Sequence, residues 1–143
     1  MLTKHDLLGA WHLESWLISY SNSDRITHPF GEQPAGMIVY TDDGWMSASI
    51  NRRDRVLLPT GEAFRGIDPT LLAEAYRSYF HYAGRYALQE NVITHSVTQS
   101  LNPNFVDSTQ LRKAEFSGNT LVLSGDEIVA GVTRSHRLTW HRE

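Results

Sequence analysis

Between Asn91 and Leu101 the sequence alternates: Thr94, Ser96, Thr98 and Ser100 fall on one side, and Ile93, His95, Val97, Gln99 and Leu101 on the other. Period two belongs to an extended strand, whose successive side chains point to opposite faces. A hydroxylated face against a mostly apolar one describes a wall with water on one side and an interior on the other. A slip of one residue would exchange the two faces, so the pattern predicts which side chains look inward.

Similar segments recur along the chain. Trp11 to Tyr20 is aromatic, branched or hydroxylated, with Trp11, Leu13, Ser15 and Leu17 on one face and His12, Glu14, Trp16 and Ile18 on the other. Gly36 to Thr41 and Trp45 to Asn51 flank Asp42-Asp43-Gly44, which reads as a tight hairpin turn. A turn-rich stretch over 21 to 35 leaves room for a short strand near Ile26. Further strands are predicted over Gly84 to Leu88, Ser108 to Ser117, Thr120 to Ser124 and Val132 to Arg142, with turns at Gly118-Asn119 and Gly125-Asp126. About eight strands with short connections favour an up-and-down antiparallel sheet, closed or nearly closed, over parallel crossover units.

Helical signals are few. Thr3 as N-cap with Asp6 three residues on, stopped by Gly9, predicts one short N-terminal turn. Asp68-Pro69 followed by Leu71, Leu72, Ala75, Tyr76, Tyr79 and Phe80 predicts a helix near residues 69–81 whose aromatic stripe packs on the sheet. Residues 52–67 lack periodicity and read as a loop, a candidate lid over an interior site.

With 143 residues, 41% of them hydrophobic, the chain supplies one ordinary core and is read as a single domain over 1–143. A net charge of −3, with basic residues scattered apart from Arg52, Arg53 and Arg55, offers no footprint for nucleic acid. The absence of cysteine removes disulfides and thiolate chemistry. No apolar run is long enough to span a membrane as a helix, and Met1 to Asp6 carries no signal-like stretch, so a cytoplasmic monomer or homodimer is expected. Seven histidines contain no spacing suited to metal, and no phosphate loop, dinucleotide fingerprint or nucleophile elbow occurs, so neither metal nor cofactor is expected.

The inward faces carry polar groups as well as apolar ones. Lys113 and Glu115 make the better solvent face of their strand, which turns Gln110 and Arg112 inward beside His95 and Gln99. The same alternation brings in Tyr40, Tyr86, His136 and Trp140. An arginine turned inward without a carboxylate needs acceptors from elsewhere, and an anionic or carbonyl-bearing ligand would supply them.

Taken together, Leu8-Gly-Ala-Trp-His-Leu-Glu-Ser15, Gly36-Met-Ile-Val-Tyr-Thr-Asp-Asp-Gly44, Tyr82-Ala-Gly-Arg-Tyr86, Ser100-Leu-Asn-Pro-Asn-Phe105, Gln110-Leu-Arg112 and Leu138-Thr-Trp-His-Arg142 resemble the small lipocalin-like domain family of bacteria and fungi. The resemblance implies an all-β, calycin-type antiparallel barrel with a central pocket for a small, largely apolar molecule. It also implies that an arginine of the last strand, Arg142 or Arg137, covers Trp11, and that Tyr40, Tyr86, His95, Gln110, Arg112 and Trp140 are pocket residues. Two positions depart from the family pattern: Phe105 stands for a more usual Trp, and Asp107-Ser108 for a glycine-containing turn.

The expected function is therefore binding of a small molecule with a carbonyl or anionic group by Tyr40, Tyr86, His95, Gln99, Gln110, Arg112, His136 and Trp140. The alternative is a cofactor-independent isomerase, cyclase, lyase or hydratase in the same pocket. There His95 would move a proton, Tyr40 or Tyr86 would donate one, and Arg112 would stabilise developing negative charge.

Overall fold

The computed structural model describes residues 1–59 and 66–142. Nine strands are present among the described residues: β1 (Gly9–Tyr20), β2 (Ile26–Thr27), β3 (Ala35–Tyr40), β4 (Trp45–Asn51), β5 (Tyr79–Gln89), β6 (Val92–Ser100), β7 (Thr109–Ser117), β8 (Thr120–Val129) and β9 (Val132–His141). All neighbours pair antiparallel, and β1 also pairs with β9, so eight strands close into a barrel while the two-residue β2 lies against the far half of β1. Two helices, α1 (Lys4–Leu7) and α2 (Pro69–Arg77), and a 3-10 turn at Pro103–Phe105 complete the regular structure of the described residues. The part of the predicted lid loop that falls on 60–65 lies outside the described residues.

One end of the barrel is plugged. Thr3 and Asp6 form the reciprocal cap of α1, which sets Leu7 against Trp11, and the Trp11 indole N–H donates to the Leu7 carbonyl at 2.9 Å. Both side chains are fully buried. Arg142 places its guanidinium 4.1 Å from the Trp11 ring centroid and donates to the Leu8 carbonyl, whereas Arg137 reaches Glu115 on the outer surface. Of the two candidates, Arg142 makes the closure.

Bulges reset the faces in two strands. The β1–β9 register shifts between Leu13 and Ser15, so Trp11 and Leu13 point inward before the bulge and Ile18 is buried after it. The predicted single face for β1 is thus divided, because one extra residue inverts all that follow. The β5–β6 register shifts likewise between Ala83 and Gly84, across from Val97 and Gln99. Ile93, His95 and Val97 are buried as expected, but Gln99, past the bulge, is exposed instead of inward. A side chain at Gly84 would meet the Ser96 carbonyl at 2.0 Å, so only glycine permits the close approach there.

Two predicted boundaries move. The helix α2 ends at Arg77, not near 81, because Tyr79 and Phe80 pair with Asn51 and Ile50 and open β5. These aromatic residues suit a strand, and sheet pairing outweighs their helical spacing. The second shift is in β8, which runs through Gly125-Asp126 to Val129 and turns at Ala130 and Gly131, both at positive φ. The family-atypical Asp107 also sits at positive φ (66°), so aspartate keeps a backbone state usually given to glycine.

Candidate functional site

The half of the barrel away from Trp11 encloses a cavity of about 350 Å³, within the range of small-molecule sites. Its apolar wall joins Ile38, Ala48 and Ile50 of β3 and β4 to Leu123 and Leu138 of β8 and β9. Aromatic side chains from four elements complete it: Trp16 of β1, Phe80 and Tyr82 of β5, Phe105 of the 3-10 turn and Trp140 of β9. Phe105 meets Phe80 edge-on with centroids 5.8 Å apart, a favourable arrangement for ring quadrupoles. The 3-10 turn brings it there, with Asn102 capping Asn104 and Pro103 opening the turn.

Of the residues singled out from sequence, His95, Gln110, Arg112, His136 and Trp140 line this cavity. Tyr40 stands behind His95, fully buried and bonded to it. Tyr86 faces inward but donates to the Thr41 carbonyl at 2.6 Å, near the β3–β4 turn and away from the cavity lining. Gln99 lies outside.

At the centre, His95 is held between two tyrosines. Its Nε2 is 2.8 Å from the Tyr40 hydroxyl and its Nδ1 is 2.7 Å from the Tyr82 hydroxyl. Burial, with the nearby Arg112 charge adding to it, lowers the His95 pKa to about 3. The ring is therefore neutral at ordinary pH. Burial also raises the Tyr40 and Tyr82 pKa values, so both keep their protons. The predicted proton-transfer role of His95 meets a ring whose nitrogens are both engaged and whose basicity is low.

Arg112 is half-buried, donates to the adjacent Leu111 carbonyl at 2.8 Å, and forms no ion pair among the described residues. Asp126 and Glu127 reach the lining because β8 continues past Gly125, but Glu127 is engaged by Arg134 and His136. His136 accepts from the Trp16 indole at Nδ1, so its proton resides on Nε2 and faces Glu127. Gln110 donates to Ser108. The indole nitrogen of Trp140 is buried and has no hydrogen-bond partner among the described residues.

Sequence reasoning missed Trp16, Phe80, Tyr82 and Phe105 as lining residues. Tyr82 was detectable, since it shares the period-two face of Tyr86, but the assigned helix had absorbed its neighbours. Trp16 was hidden by the β1 bulge. Among the described residues no group of three or more His, Asp or Glu is placed to hold a metal, and no helix is long and apolar enough to cross a membrane.

The chain is 30% identical over 107 residues to a 4'-hydroxy-3'-methoxypropiophenone carrier protein of Aspergillus oryzae, covering 68% of this chain and 96% of that one. A lipocalin-like protein from Bacteroides uniformis superposes over 92% of this chain and 97% of its own with a TM-score of 0.43 at 16% identity. A protein from Bacteroides eggerthii does so over 92% and 98%, with a TM-score of 0.41 at 13% identity. The sequence pattern of the lipocalin-like domain matches residues 8–143. The chain therefore belongs to the lipocalin-like domain family.

Proposed function

We propose that this protein is a carrier for a small, flat, largely apolar molecule bearing a carbonyl or anionic oxygen. The observation that carries the reading is Arg112: a guanidinium lining an aromatic cavity with no carboxylate partner among the described residues. Such a group is stabilised by an acceptor brought in from outside, and the surrounding rings favour an aromatic body. The related Aspergillus oryzae protein is described as carrying an aryl ketone, which has this combination of a ring and an acceptor oxygen.

Binding is favoured over turnover because the His95 ring is neutral, saturated by two tyrosine hydroxyls, and too weak a base to act near neutral pH. The test is a calorimetric titration with acetophenone and benzoate, followed by chromatographic recovery of each compound. Saturable one-to-one binding with unchanged compound supports the carrier. Conversion of the ketone would favour the isomerase, cyclase, lyase or hydratase reading, and no binding of either probe would remove the proposal.

A further inference from the structure

The Tyr40 hydroxyl is fully buried, and its one hydrogen bond among the described residues is to Nε2 of His95. If Nε2 carried the imidazole proton, Tyr40 would accept that bond and its own proton would have no partner among the described residues. An unsatisfied buried donor is costly, so Tyr40 donates to Nε2. A neutral imidazole then keeps its proton on Nδ1. That proton points to the Tyr82 oxygen, 2.7 Å away.

Tyr82 is thus the acceptor in its bond to His95, and its own proton remains to be placed. Its hydroxyl has no other partner among the described residues, and Tyr82 lines the cavity. We infer that Tyr82 is a specificity-determining residue: Tyr40, acting through His95, fixes its hydroxyl as a donor, so the cavity selects ligands presenting an acceptor oxygen. This inference rests on the carrier reading and adds a rule of selection to it. Arg112 belongs to the same lining and is also a donor only, which gives an acceptor oxygen a second group to meet. Tyr40 and His95 are positioning residues in this scheme, and Tyr82 is the group that touches the ligand.

Two measurements test it. Long-range proton–nitrogen correlation on ligand-free, ¹⁵N-histidine-labelled protein at neutral pH, with His95 assigned by its loss in His95→Gln, should show the proton on Nδ1. A proton on Nε2 would overturn the relay without reference to any ligand. Calorimetry then compares acetophenone with α-methylstyrene, which has the same shape and a methylene in place of the carbonyl oxygen. Wild type should prefer the ketone, and Tyr82→Phe should reduce that preference roughly tenfold. Binding of α-methylstyrene should change little. Tyr40→Phe, altering a side chain outside the cavity lining, should also weaken the ketone preference and release the His95 ring to the other tautomer, which a merely structural Tyr40 would not do. If both probes bind and the preference survives Tyr82→Phe, the role of Tyr82 falls while the carrier reading stands. If neither probe binds wild type, the carrier reading falls and the selection rule with it.

Discussion

A Cβ at position 125 would lie 3.0 Å from Nη1 of Arg112 and 3.4 Å from its Cδ, so Gly125 leaves the space over which the guanidinium extends. Glycine in a strand interior often marks such a close approach. Gly125→Val should fold, because a branched side chain suits a strand, but Arg112 must move. Benzoate affinity should fall by about tenfold or more, while the melting temperature shifts by only a few degrees. Full benzoate affinity in this variant, measured by calorimetry, would detach Arg112 from the site.

Removing Arg112 itself should separate stability from binding. Its charge is half-buried without an ion pair among the described residues, so Arg112→Met exchanges an uncompensated cation for an apolar chain of similar reach. Ligand-free stability should stay level or rise by roughly 0–1 kcal/mol, since functional groups are commonly held at a cost to the fold. Benzoate binding should weaken by about 2–5 kcal/mol. Urea midpoints and calorimetry on the same preparation give both numbers, and a clear loss of stability would show that Arg112 is a structural group.

The barrel was legible because period two and hairpin turns are local signals. The β3–β4 hairpin appears where Asp42-Asp43-Gly44 predicted it, and His95 is buried because Ile93, His95 and Val97 alternate without interruption. What was not legible depended on contacts between distant strands. The bulge after Leu13 swaps the inward side of β1 and brings Trp16 to the cavity, and nothing in the local pattern announces the extra residue. Gly125 looked like a turn because its reason, the Arg112 side chain, comes from another strand. Gln99 failed for the same cause as Trp16: alternation persists in sequence after a bulge has reversed its meaning.

The closure at Trp11 predicts an asymmetry between two arginines of the last strand. Arg142 lies over the Trp11 ring and bonds the Leu8 carbonyl, so Arg142→Ala should lower stability by roughly 1–3 kcal/mol. Arg137 meets Glu115 at the surface with both side chains at least half exposed, and Arg137→Ala should cost less than about 0.5 kcal/mol. Guanidinium unfolding of the two variants decides it. Equal losses would mean that Arg142 contributes no more than a surface charge, and neither variant should alter binding in the cavity at the opposite end.

The buried imidazole also sets a pH dependence. Unfolded, His95 takes up a proton near pH 6.5; folded, it resists protonation until about pH 3. Between those values the unfolded chain binds more protons at this position than the native one, so unfolding becomes easier as the pH falls. The contribution is complete above about pH 6.5 and is lost progressively on acidification toward pH 3, with a slope approaching about 1.4 kcal/mol per pH unit for one proton. The quantity to compare is the difference between wild type and His95→Gln across pH 4–6.5, obtained from urea unfolding. Glutamine can still bond Tyr40 and Tyr82 but does not titrate. Its stability should depend less steeply on pH by nearly one proton, whatever its absolute value. Parallel curves for the two proteins would mean that folded His95 takes up its proton over the same pH range as the unfolded chain, so that burial does not hold the ring neutral there.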